Sequence, residues 1–290
     1  MIWVDTIVQG ILLGSLYALF AAGLSLVFGI MRLVNLAHGD LIVLAAYLLL
    51  VIVSMLGLNP FLAALVAMPI MFAVGYALQR YVLNRVLGPD ILPPLLVTFG
   101  LSVVIQNVLL EGFSADSRRI PAGALETASL PLGPVTVGLM PLLTLVSAIG
   151  VILALQWLFF RTSLGRAFRA TSDDPVTASL MGIKPQRVFA QATGIAMVVV
   201  TIAALYLGTR ANFDPTVGPA RLIYAFEAVI IGGLGSVPGA AIGALMVGIS
   251  RAASVHLMPE AELFIIYFVM AIVLLFRPEG LFAKTQARKI

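Results

Sequence analysis

The sequence predicts an all-α, polytopic integral membrane protein: a helical bundle of about eight or nine transmembrane segments, one of them broken by glycine and proline near residues 232–239. Three observations carry that prediction. Of the 290 residues, 61% are hydrophobic and only 10% are charged, whereas about 25% of an average soluble domain is charged. The apolar residues fall into blocks long enough to cross lipid as helices, at about 6–30, 36–57, 60–83, 94–111, 139–160, 189–208, 221–235, 238–257 and 262–276, with polar or Pro/Gly punctuation between them. Finally, the blocks lack the polar/apolar alternation of a barrel strand, and backbone groups in hydrocarbon must be satisfied internally, so helices are expected. The whole chain, 1–290, reads as one transmembrane domain.

The chain opens MIWVDTIVQG, with an acid rather than a basic run ahead of the apolar stretch, so the first block is expected to be retained as a span. At the start of the second block Asn35, His38 and Asp40 gather with Arg32 in the first inner turn. Four polar side chains at a membrane boundary are costly unless wet or paired. They form either a helix cap with a tight turn at Gly39, or a gate or subunit contact. In the fourth block Thr98, Ser102 and Gln106 recur at i, i+4 and i+8, on one helical face; this stripe either bonds neighbouring helices or lines a pathway.

Two connections exceed a turn: an external loop at about 112–138, rich in Pro and Gly, and an internal one at about 161–188. Inside the second, Asp174 followed by Pro175 is an N-cap and first-turn signal, Gly182 suits a helix end, and Pro185 stops its continuation. A helix of about two turns is expected there, flanked by Arg166, Arg169, Lys184 and Arg187. So short a helix is not stable alone. It must dock on anionic lipid or on a partner.

Further on, Gly232, Gly233, Gly235, Ser236, Pro238 and Gly239 interrupt the helical pattern. The block before them, about 15 residues or ~22 Å, is short for a span, so the turn is expected to sink into protein near the inner face. Gly239 and Gly243, four apart, permit close helix approach. Glu227 is an acid inside an apolar span, which either pairs with Arg221 or belongs to a translocation route.

Counting Lys and Arg in the connections gives 12 of 17 on one side when the N-terminus is placed outside: Arg32; Arg80 and Arg85; Arg161, Arg166, Arg169, Lys184 and Arg187; and Arg277, Lys284, Arg288 and Lys289. Cytoplasmic loops are enriched in these residues, which predicts N-out and C-in. The net charge of +4 thus reflects topology; no basic run of the nucleic-acid-binding kind exists. With no cysteine there is neither disulfide nor thiolate chemistry, and His38 and His256 lack metal-site spacing. No persuasive nucleophile and base pair marks a hydrolase, and no GxxxxGK[ST] cradles a nucleotide, so neither catalytic residues nor a cofactor are expected in this chain.

GLSLVFGIMRLVNLAHGDLIVLAAY (Gly23 to Tyr47), LVTFGLSVVIQN (Leu96 to Asn107), LGRAFRATSDDPVTASLMGI (Leu164 to Ile183) and AFEAVIIGGLGSVPGAAIGA (Ala225 to Ala244) resemble, in the same order, LivH-type permeases of branched-chain amino acid ABC importers. Ala178 and Gly182, with three residues between, resemble the A-x3-G core of the importer coupling loop, here Arg166, Arg169, Asp173, Asp174, Pro175, Ala178 and Gly182. The resemblance implies a permease subunit in the bacterial inner membrane, working by alternating access for branched-chain or hydrophobic amino acids or related small molecules. It also implies a second, LivM-type permease, two ABC ATPase subunits that bind the ATP, and a periplasmic substrate-binding protein as partners. A different class is a proton-coupled secondary transporter using Glu227 or His38, since such proteins also use broken helices.

Overall fold

The computed structural model describes residues 2–88, 90–132, 135–257, 260 and 262–282; Lys284, Arg288 and Lys289, on which part of the charge count rests, lie outside them. Each of the nine apolar blocks is a helix: α1 (Ile2–Met31), α2 (His38–Leu56), α3 (Pro60–Tyr81), α4 (Leu92–Phe113), α5 (Leu139–Arg161), α8 (Pro185–Arg210), α9 (Gly218–Gly232), α10 (Val237–Leu257) and α11 (Glu262–Phe276). Two more, α6 (Ser163–Asp173) and α7 (Pro175–Leu180), structure the internal loop. Among the described residues seven helices are long and apolar enough to cross a membrane, namely α1 to α5, α8 and α10. The chain is therefore a multi-pass helical membrane protein. Helices α9 and α11 have 15 residues each, about 22 Å, short of a hydrocarbon core of about 30 Å.

The order of burial follows from side-chain pattern. Helix α1 is apolar on all sides and largely buried, as a helix wrapped by others must be. It packs on α10, α8 and α9. Close approach is set by small residues: a Cβ on Gly14 would stand 2.8 Å from the Ala244 carbonyl oxygen. Helices α3, α4 and α5 instead turn Leu65, Phe99, Val104, Leu153 and Trp157 outward, a surface suited to lipid.

Three boundaries differ from the sequence reading. The helix break is shorter: Gly232 ends α9, Gly233–Ser236 make the turn, and Pro238 and Gly239 lie in the first turn of α10, where proline's missing N–H is no loss. Pro185 starts α8 rather than merely stopping the helix before it. The external loop holds a hairpin, β1 (Ser129–Leu132) antiparallel to β2 (Val135–Gly138), with Ser129 opposite Gly138; runs of four residues are too short to register as strands in an apolar helical sequence. An ion pair, Arg119–Glu126 at 3.3 Å, braces the same loop.

Candidate functional site: the polar centre and the 161–188 loop

After α1 ends, Arg32 takes a left-handed turn at φ 53°, and residues 33–37 run back along the bundle. Asn35 closes a local turn just ahead of α2, its side-chain oxygen accepting the Ala37 N–H at 3.0 Å, while Ala37 itself starts the helix without a side-chain cap. The His38 ring then meets the Phe20 carbonyl oxygen at 3.0 Å through Nε2. Phe20 lies about 16 Å above the end of α1, taking 1.5 Å per residue. Helix α2 thus begins deep inside the bundle, which corrects the expectation of one polar turn at the inner boundary: Arg32 is exposed at the helix end, while Asn35, His38 and Asp40 are buried. Because a carbonyl only accepts, Nε2 of His38 is the donor, and its proton is committed to pinning α2 against α1.

The stripe on α4 meets this segment. Thr98 accepts the Leu36 N–H at 3.2 Å, Ser102 donates to Asp40 Oδ2 at 2.5 Å, and Gln106 donates to Asp40 Oδ1 at 3.0 Å. Two groups of residues that the sequence presents separately form one network, halfway along α4. The N-terminus of α9 closes it from the other side, with Gly218 against Asp40 and Gly39. A helix N-terminus carries partial positive charge, so it favours the Asp40 carboxylate. Asp40 therefore ties α2, α4 and α9 together. Asp40→Ala is expected to cost about 3 kcal/mol, as two hydrogen bonds to a charged group are lost; an unfolding midpoint in detergent unchanged from wild type would refute the tie.

Glu227 is 3% exposed, and neither of its carboxylate oxygens has a hydrogen-bond partner. The ion pair with Arg221 that the sequence allowed is not formed: among the described residues ion pairs join Arg118 to Asp116 and Arg119 to Glu126, both in the external loop. Arg251 of α10 sits in an aromatic cluster one turn of α9 from Glu227. Its guanidinium donates to the Tyr17 hydroxyl and sits 4.8 Å from the Tyr224 ring centroid, while Tyr17 and Tyr224 stack at 4.8 Å. Sequence spacing could not find this group, because its members come from α1, α9 and α10.

In the internal loop, Thr162 caps α6 by accepting the Gly165 N–H at 3.0 Å. Gly165 lies against the Leu158 and Phe159 carbonyls, where a side chain has no room. Arg169 donates to the Phe159 carbonyl and covers the Phe160 ring at 5.6 Å; Arg166 is exposed. Asp173 ends α6. Asp174 caps α7, accepting the Val176 and Thr177 N–H groups at 2.9 and 3.3 Å, and Gly182 at φ 84° turns the chain toward α8. Ala178 is the one buried residue of α7, whereas Val176, Leu180 and Met181 are 69%, 82% and 80% exposed. Beside them lies a cleft of about 690 Å³ edged by Arg80, Lys184 and Arg187. Spacing did not reveal the connection inward: Ser172 of α6 donates to the Gly29 carbonyl at 2.7 Å, and Gly29 abuts Gly235 in the α9–α10 turn. The short helix is thus hung, through α6, on the C-terminal end of α1 and on the helix break.

Comparison with known proteins places this arrangement. The chain is 30% identical to the high-affinity branched-chain amino acid transport system permease protein BraD of Pseudomonas aeruginosa, with 99% of this chain and 98% of that protein covered. It is also 30% identical to the corresponding permease protein LivH of Escherichia coli K12, with 97% and 96% covered. Among solved structures it is similar to a chain of PsaBC from Streptococcus pneumoniae in complex with Fab, at 15% identity and a TM-score of 0.47, over 97% of this chain and 92% of that one. The model of the family described as branched-chain amino acid transport system / permease component matches residues 6–274, and the chain belongs to that family.

Proposed function

We propose that this chain is the permease subunit of an ATP-driven importer for branched-chain or hydrophobic amino acids, seated in a bacterial inner membrane with its N-terminus outside and its C-terminus in the cytoplasm. The observation that carries the reading, beside family membership, is α7: a capped helix of six residues with Val176, Leu180 and Met181 exposed over a basic cleft. An exposed apolar patch rimmed by charge is the form of a protein-docking surface, and the excess of Lys and Arg on that side agrees with a cytoplasmic location. The partner there is an ABC ATPase, which holds the ATP, so this chain transports without being an enzyme itself. A homologous LivM-type permease pairs with it, and a periplasmic binding protein delivers the substrate to the outer face. Closure of the ATPases pushes α7, and α6 passes the push through Ser172 to Gly29 and the α9–α10 turn.

The proton-coupled alternative has no support here, and His38 serves as an anchor. Uptake in vesicles separates the two. With the ATPases and binding protein present, labelled leucine, isoleucine or valine is expected to accumulate only when ATP is supplied. Accumulation driven by a pH gradient in vesicles holding no ATPase would reject the importer reading.

A further inference from the structure

The segment after α11, residues 277–282, belongs neither to the network around Asp40 nor to the 161–188 loop, yet it bonds directly to the end of α9. An α-helix leaves its last four carbonyls without a partner inside the helix. In α9 these are the carbonyls of Val229, Ile230, Ile231 and Gly232. The Gly233 N–H serves the first two, at 2.9 and 3.3 Å. The other two are met from the far end of the chain: Leu281 donates its N–H to the Ile231 carbonyl and Phe282 donates its own to the Gly232 carbonyl, each at 3.0 Å. Both acceptor residues are buried, where an unpaired carbonyl is costly. Leu281 also packs against the core. Gly280 makes the approach possible. It is buried at φ 85°, and a Cβ on it would stand 2.5 Å from the Gly233 Cα and 2.8 Å from the Ile230 carbonyl oxygen, so only glycine fits.

What this segment grips is the junction between the loop and the polar centre. The turn that follows Gly232 sets Gly235 against Gly29 of α1, and the Gly29 carbonyl accepts from Ser172 of α6. At its other end α9 begins against Gly39 and Asp40. Helix α9 is therefore a short strut, with the polar centre at its N-terminus and, at its C-terminus, the turn on which α6 hangs. The turn itself is a weak joint: Gly233 and Gly235 hold φ 102° and 84°, and residues of this kind absorb backbone rotation where elements hinge. A displacement of α6 and α7 would be lost there unless the turn and the end of α9 moved as one body. We infer that Gly280, Leu281 and Phe282 form a clip that joins them, acting as positioning residues for transport that touch neither cargo nor ATPase. This rests on the proposed ATP-driven transport, in which the ATPases displace α7.

The test uses the assembled importer in vesicles and measures labelled leucine, isoleucine and valine moved per ATP hydrolysed, with co-purification of the ATPases confirming assembly of each variant. Gly280→Val drives a side chain into Gly233, and Phe282→Pro removes the N–H that serves Gly232. In the complexes that assemble, each is expected to lower the ratio about fivefold or more, the scale of a lost backbone hydrogen bond. Phe282→Leu keeps the N–H and is expected to stay within about twofold of the unaltered complex. A merely structural segment would change how much complex assembles and leave the ratio alone. Should Gly280→Val fail to assemble, the two Phe282 variants decide. Ratios within about twofold in the variants that assemble, failure of both Gly280→Val and Phe282→Pro to assemble, or equal losses in Phe282→Pro and Phe282→Leu would overturn the clip and leave the importer standing. Absence of ATP-driven uptake of all three amino acids by the unaltered complex would overturn the functional reading, and the clip's role with it.

Discussion

Gly39→Ala is expected to destabilise the bundle by about 3–5 kcal/mol, the range of the severest single substitutions, and to leave little folded protein in the membrane. The reason is local. Gly39 opens α2 in the middle of the protein, and a Cβ there would run into the backbone carbonyl of Gly218, with the Leu222 nitrogen only 2.9 Å away. Backbone on backbone cannot be relieved by turning a side chain, so α9 would have to withdraw from α2. That withdrawal would also take the positive end of α9 away from Asp40, whose charge it helps to hold at depth. Gly100→Ala and Gly150→Ala are the matched controls. Both sit in exposed helical positions with nothing within 4 Å of the added methyl, and alanine in a helix interior gains roughly 0.5–1 kcal/mol over glycine. Thermal unfolding in detergent reads all three; Gly39→Ala melting together with the controls would show that α2 and α9 are not in contact.

That junction also marks where sequence and structure part company. Apolar block length alone placed nine helices to within a few residues, because a helix in lipid must be long, apolar and continuous, and composition reports each of those properties directly. Residues within one turn were equally legible: the cap at Asp174 and the stripe of Thr98, Ser102 and Gln106 follow from spacing. What spacing does not carry is which stripe faces which segment. That Ser102 and Gln106 serve Asp40, more than 60 positions earlier, depends on residues 32–37 doubling back, and their mixed sequence, with Arg32 and Asn35 among apolar residues, reads equally well as a turn at the membrane boundary. Glu227 shows the same limit. Sequence proximity suggested pairing with Arg221, but a six-residue separation on a helix points the two side chains to different sides, so each meets its surroundings alone.

Gly182→Pro is expected to cut co-purification of the ATPases about tenfold or more, the consequence of losing ~1.4 kcal/mol or more of docking free energy, while the amount of permease in the membrane stays near wild type. Gly182 holds φ 84°, which proline cannot adopt because its ring fixes φ near −65°. Its N–H also donates to the Ser179 carbonyl at 3.0 Å, and proline has none to give. The end of α7 must therefore reorganise, carrying Leu180 and Met181 out of place. Asp174→Lys attacks the other end of the helix: it removes the acceptor for the Val176 and Thr177 N–H groups, worth about 1 kcal/mol, and sets a cation at the positive end of the helix. Insertion survives both changes because α7 contributes only Ala178 to the buried interior. Gly182→Ala separates conformation from bulk, since a methyl there meets nothing within 4 Å and the cost is confined to the left-handed backbone, about 1 kcal/mol. A graded loss, with alanine between glycine and proline, identifies the shape of α7 as what the ATPase reads. Full co-purification with the proline variant would move the docking surface elsewhere.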